Sequence, residues 1–283
     1  MKTILLDTDI GVDCDDAIAL AMALNGKKEG RLRLPLITLS TARKGSGGCT
    51  RAILKAYGEE IPLAKIRKPL PIDSRDNYGE KVAAAFGETD GDLGDAVEAW
   101  RTLYKTAEGK ITPVVIGPQT NLAAFLKEEK ELFKEKTEHV YIMAGRFDEK
   151  TPEFNVEQDV PACLSVATDL PCKCSIIPFE TGCKVLTGKR FLNERNHPVG
   201  LSIEECFKSW GQFDNAKMLR ESWDPLTLLA ALDKELFYPL LKGRLCVDDR
   251  GVTTIEADGT DKFEVLSVKD AAAAADAVEK MLR

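Results

Sequence analysis

The chain has no apolar run approaching the roughly 20 residues of a membrane span. Its only early apolar run, Ile4 to Leu6, is far shorter than a secretory leader needs. It also lacks a basic excess: 39 Lys and Arg against 46 Asp and Glu give a formal charge of −7. That balance provides no electrostatic footprint for nucleic acid or an anionic membrane. Histidine is scarce, with His139 and His197 alone in 283 residues. The eight cysteines form no repeated CxxC pairs, and Cys172-x-Cys174 is one residue short of that spacing. Reduced thiols and a cytoplasmic setting are expected. No internal repeat or composition break marks a boundary, so residues 1–283 read as a single domain. With 44% hydrophobic and 30% charged residues, the composition is that of an ordinary globular protein.

Short apolar runs alternate with longer amphipathic ones. Strands are expected at Thr3–Leu6, Leu34–Ser40, Thr112–Ile116, His139–Met143 and Cys174–Ile177. Helices are expected at Asp16–Leu24, Cys49–Tyr57, Ala96–Tyr104, Asn121–Lys127, Val160–Ala167 and, after Trp223-Asp224-Pro225, on to about Leu232. This alternation predicts an α/β fold, a mostly parallel open sheet flanked by helices. Short strands at Arg244–Val247, Val252–Ile255 and Phe263–Leu266 predict a small β-rich C-terminal addition. A last helix, Ala271–Leu282, follows Asp270 as its N-cap. Arg67–Thr89 and Arg190–Ser222 read as long polar connections, the kind that often serve as functional lids.

Five aspartates fall between Asp7 and Asp16, where the first strand turns into the first helix. Each carboxylate disfavours ionisation of its neighbours, and a hard divalent cation removes that conflict. In an open parallel sheet, ligands sit beyond the carboxyl ends of the strands. Three more polar clusters fall at such ends or at helix entries: Gly117-Pro118-Gln119-Thr120-Asn121, Glu153-Phe154-Asn155 and Trp223-Asp224-Pro225. Each has a plainer reading. Thr120 and Asn121 are ordinary turn and capping residues, and Glu153 and Asn155 suit a solvated loop. Asp224 before Pro225 suits an N-cap, and Trp223 suits the core.

Taken in order along nearly the whole chain, these pieces resemble the calcium-dependent nucleoside hydrolases of the inosine–uridine-preferring type. The motifs that carry the resemblance are Asp7-Thr8-Asp9-Ile10-Gly11 through Asp15-Asp16-Ala17, Gly117 to Asn121, Glu153-Phe154-Asn155 and Asp224-Pro225. The resemblance implies hydrolysis of a ribonucleoside, or a related N-riboside, to ribose and free base. It implies a Ca²⁺ cofactor, a part in purine or pyrimidine salvage, and a homodimer or homotetramer. It implies no nucleic-acid or membrane partner. Asp9 resembles the general base that takes a proton from a metal-bound water, and is counted with the metal site. Asp16 resembles the bidentate ligand, Thr120 the donor of a backbone carbonyl, and Asp224 the residue that closes the cage. Glu153 and Asn155 match residues that hold the ribose hydroxyls, and Asp13 and Asp15 compete for a further ribose contact.

The chain departs from the family pattern in three places. Ile10 stands for the usual proline, and the elbow carries two extra residues before Ala17. Ser40 to Gly45 lacks the asparagine expected there. Trp223 replaces the histidine many members use to protonate the leaving base, so activation is expected from a different group or from stacking on an aromatic, or is weak. His197 is the sole histidine with a route to the site. Two other readings fit the opening strand and its aspartates. One is a phosphohydrolase of the haloacid dehalogenase type, with Asp7 as nucleophile and Asp248-Asp249 as late magnesium ligands. The other is a non-catalytic or altered-substrate nucleoside- or ribose-binding protein.

Overall fold

The computed structural model describes residues 1–71, 77–214 and 218–283. Its strands are β1 (Lys2–Thr8), β2 (Leu32–Leu39), β3 (Leu63–Lys65), β4 (Gly94–Asp95), β5 (Ile111–Val115), β6 (His139–Met143), β7 (Lys173–Ile177), β8 (Leu186–Thr187), β9 (Arg220–Glu221), β10 (Phe237–Val247), β11 (Thr253–Glu256) and β12 (Phe263–Val268). Its helices are α1 (Asp15–Lys28), α2 (Ser46–Ala56), α3 (Gly79–Ala85), α4 (Ala96–Thr106), α5 (Thr120–Lys136), α6 (Phe154–Gln158), α7 (Val160–Asp169), α8 (Phe179–Gly182), α9 (Pro198–Ser209), α10 (Trp223–Leu232) and α11 (Ala271–Met281).

Ten of these strands form one sheet in the order β11-β10-β12-β7-β6-β5-β1-β2-β3-β4, and β8 pairs with β9 apart from it. Every pairing from β12 across to β4 is parallel, and β10 runs against both of its neighbours. The chain winds outward from β1 in both directions, so β1 and β5 flank the switch point where crevices form in such sheets. One apolar layer packs α1, α2, α9, α10 and α11 on the sheet, and the opposite layer packs α4, α5 and α7. Helix α1 is buried from Asp15 to Gly26, which is why it reads as apolar on every side.

The expected strands and helices are present, most of them longer by a few residues. The short elements β3, β4, β8, α6 and α8 are not among those expected, and three longer segments also differ. Arg190–Ser222 contains α9, whose buried Val199, Ile203, Cys206 and Phe207 follow helical spacing beneath a polar exterior. Arg67–Thr89 contains α3, and residues 72–76 of that stretch lie outside those described, as do 215–217 of the later one. Strand β10 starts at Phe237 rather than Arg244; its residues 238–242 are exposed and hide the alternation that marks a half-buried strand.

Beneath the switch point, a buried network ties β1 to both flanks. Asp7 Oδ1 accepts from Thr38 Oγ1 at 2.5 Å and from Asn121 Nδ2 at 2.8 Å. Trp100 Nε1 donates to the same Thr38 oxygen at 3.0 Å. Burial pushes the Asp7 carboxyl up to about 7. These bonds fix where β1 ends and therefore where the next residues turn.

Candidate active site

Thr8 ends β1, and its hydroxyl shapes the turn that follows: it accepts from Ile10 N at 3.2 Å and donates to Asp16 Oδ1. The turn thereby brings Asp9, at the strand end, and Asp15 and Asp16, in the first turn of α1, to one side. Gly117, after β5, passes so close to Asp9 that a Cβ there would collide with Asp9 Oδ1 and Ser40 Oγ. Helix α10 delivers Asp224 from the far end of the sequence, and the Asp224 backbone N–H donates to Asp15 Oδ2 at 3.1 Å.

The carboxylate oxygens of Asp15, Asp16 and Asp224 lie within 4.8 Å of one another, all three residues buried. Burial first, and then the neighbouring aspartates, push all three carboxyls well above the ordinary range. Such packing of like charge fits a bound hard cation, which carboxylate oxygens suit. Asp9 lines the same cavity but stands outside that closest group of oxygens.

The cavity has a volume of about 300 Å³. Asp9, Asp13, Asp15, Asp16 and Asp224 form its acidic side, and Glu153 and Asn155 face it from beyond β6. Glu153 is no solvated loop residue. It is buried, caps α6 by accepting from Asn155 N and Val156 N, and accepts from Gly145 N at 3.1 Å. Burial pushes its carboxyl up to about 7 against these bonds. Asn155 Nδ2 donates to the backbone oxygens of Ile116 at 3.2 Å and Met143 at 3.4 Å, and its Oδ1 is the acceptor left to meet a hydroxyl.

Asp224 is not an N-cap: α10 begins at Trp223, so Asp224 sits within its first turn and its side chain lines the cavity. Trp223 also lines the cavity, with its ring stacked on Phe179 at 5.5 Å and its Nε1 donating to Phe179 O at 2.8 Å. Gly182 makes room for it; a Cβ there would overlap the indole. Thr120 is set apart from the other expected residues. It opens α5 outside the cavity lining, and its hydroxyl donates to Asp159 Oδ2 at 2.6 Å. Ile116, four residues earlier, lines the cavity in its place.

Neither histidine lines the cavity. His139 lies at the opposite end of β6, and His197 caps α9 through Nδ1 while stacking on Phe191 at 5.0 Å. Asp7 lies beneath the lining, and Asp248 and Asp249 stand in the exposed β10–β11 turn, so the phosphohydrolase triad is not assembled. Sequence reading missed Phe179, Trp210 and Arg220, which line the same cavity as the carboxylates. Trp210 and Arg220 lie in the Arg190–Ser222 stretch already singled out as a candidate lid, and Phe179 opens α8, but nothing local marks these side chains as cavity residues.

A carboxylate-lined crevice at the switch point of a parallel sheet is a common place for a small-molecule site. Known proteins place it more narrowly. Residues 4–279 match the family model described as inosine-uridine preferring nucleoside hydrolase. The pyrimidine-specific ribonucleoside hydrolase RihA of Enterobacter sp. (strain 638) is 29% identical over 261 residues, covering 83% of this chain and 80% of that protein. Among solved structures, an inosine-guanosine nucleoside hydrolase aligns with a TM-score of 0.80 at 19% identity, covering 100% of this chain and 99% of that one. The inosine-uridine preferring nucleoside hydrolase of Bacillus anthracis aligns with a TM-score of 0.76 at 17% identity, with the same coverage. The chain belongs to the inosine-uridine preferring nucleoside hydrolase family.

Proposed function

We propose that the protein hydrolyses the N-glycosidic bond of a ribonucleoside, or a close N-riboside, to ribose and free base, with a calcium ion held in the acidic cluster. The observation that supports this most is the convergence of Asp15 and Asp16 with Asp224, more than 200 positions later, in a cavity that Glu153 and Asn155 also line.

Asp16 and Asp224, with Asp9, would hold the cation. The backbone oxygen from the β5 end would come from Ile116, whose carbonyl already faces the cavity amide of Asn155, rather than from Thr120. When bound, the ion supplies charge that offsets the carboxylates and lowers the pKa of nearby water. Asp9 is the base that accepts the water proton. Asp15, Glu153 and Asn155 hold the sugar hydroxyls, and Glu153 is kept in orientation by its three backbone donors. The bond breaks through an oxocarbenium-like sugar, and the surrounding carboxylates stabilise the positive charge that develops there. Holding sugar and water in register supplies several of the roughly 7–11 kcal/mol available from orientation.

Because no histidine lines the cavity among the described residues, imidazole does not protonate the leaving base. The same observation favours, as a second reading, a member of the family that binds nucleoside without cleaving it. A calcium-supplemented panel of purine, pyrimidine and nicotinamide ribosides, assayed for reducing sugar, separates the two. Release of ribose that chelation abolishes supports hydrolysis. Calorimetric binding without release supports the second reading.

A further inference from the structure

Among the described residues, six carboxylates line the cavity, and a single cation, Arg220, lines it with them. Its guanidinium forms a fork on one of them: Nε donates to Asp13 Oδ1 at 2.7 Å and Nη2 to Asp13 Oδ2 at 2.5 Å. A third nitrogen, Nη1, donates to Glu221. The guanidinium carbon also lies 4.6 Å from the ring centre of Trp210 and 4.8 Å from that of Trp223. Burial alone would make the group easier to deprotonate, but the bonds and charge of Asp13 outweigh that and keep it cationic. Three distant parts of the chain therefore meet at one planar side chain: the acidic elbow, the end of α9 and the start of α10.

An arginine used in this way differs from one that receives an anion. Its edges are taken by two carboxylates and its plane by two indoles, so little of its charge remains for a ligand. Asp13 has also been drawn away from the sugar. Its two oxygens serve Arg220 and the Cys14 N–H, whereas Asp15 stays within the carboxylate group. The sugar end of a substrate is held by Asp15, Glu153 and Asn155. A flat leaving group must then meet the aromatic side of the cavity, where Trp210 and Trp223 stand on Arg220.

Resting on the hydrolase reading above, we propose that Arg220 is a positioning residue: pinned by Asp13, it fixes the Trp210 and Trp223 indoles as the wall that holds the leaving base. The longer elbow supplies the residue that pins it.

The test uses the calcium-loaded protein and the variants Arg220→Met, Arg220→Lys and Asp13→Asn. Dissociation constants for hypoxanthine, uracil and ribose are measured by calorimetry, which needs no turnover, and tryptophan emission is recorded without ligand. Arg220→Met is expected to weaken binding of the free base about tenfold and to shift emission to the red, leaving ribose binding within about twofold. Lysine should not rescue, because it has neither the fork nor the flat face. Asp13→Asn should fall between the parent and Arg220→Met, and it keeps the test open if Arg220→Met does not fold. Equal loss of base and ribose binding would overturn the proposal, as would unchanged emission with unchanged base affinity. A parent that binds neither base would also overturn it. A parent that binds base but releases no ribose overturns the hydrolytic reading and leaves the role of Arg220 standing.

Discussion

The two walls of the cavity are held together in opposite ways. On the acidic wall Asp15, Asp16 and Asp224 repel one another, and the fold around them must keep them close. On the aromatic wall Arg146 lies 4.6 Å from the Phe179 ring, Phe179 stacks on Trp223, and Trp223 and Trp210 both contact Arg220. Those contacts are attractive in themselves. The acidic wall is thus completed by something it binds, whereas the aromatic wall is complete as folded. Removing a carboxylate should therefore harm chemistry and help ion-free stability, whereas removing a member of the other wall should weaken base binding without raising ion-free stability.

The sharpest way to break that contrast is Asp16→Asn. Turnover should fall by about 10³-fold, as when a main electrostatic contact is lost. The melting temperature in chelator should nevertheless rise by about 2–4 °C, the shift about 1 kcal/mol produces in a chain of this size. A variant that melts lower in chelator would show that the carboxylates do not strain the fold. Next in size is the response of the parent to calcium. At 100 times its dissociation constant the ion should stabilise by about 2.7 kcal/mol, and Asp16→Asn should lose most of that in a thermal melt.

The buried carboxyls also set a pH response. Burial holds Asp7 and Glu153 at about 7, against 3.8 and 4.5 for free groups. Between those limits the folded chain keeps protons that the unfolded chain has released. Stability without calcium should therefore decline as pH rises from about 4 to about 7. Melts in chelator at intervals across that range check the sign, and Asp7→Asn should flatten the slope. On the aromatic wall Arg146→Ala removes only the outermost contact, so base affinity should change by a few-fold at most, about 0.5–1 kcal/mol. Smallest for activity is His197→Ala: turnover should be unchanged while stability falls by about 1 kcal/mol, the scale of a lost helix cap.

Much of the acidic wall was readable from the chain because its signals are local. Asp9, Asp15 and Asp16 crowd one strand-to-helix turn, and such crowding needs an explanation wherever the rest of the chain goes. Asp224 and Glu153 were visible only as members of a series of motifs; taken singly they looked like a cap and a loop residue. Thr120 shows the limit of that method. Its motif follows β5, yet the helix starts at that residue, and Ile116 rather than Thr120 is among the residues lining the cavity. A motif locates a strand end to within a turn, but which atom faces the ligand depends on where the helix begins.

Periodicity and composition were enough to establish the alternation of strands and helices, the parallel sheet and the acidic elbow, since each depends on neighbours within a few residues. Packing had to select the partners of Asp13 and the wall built on Arg220. Asp13 and Arg220 lie some 200 positions apart, and no local preference makes either one anticipate the other. Side-chain direction across such distances is settled when helices α9 and α10 dock on α1, where shape and charge choose the contacts together.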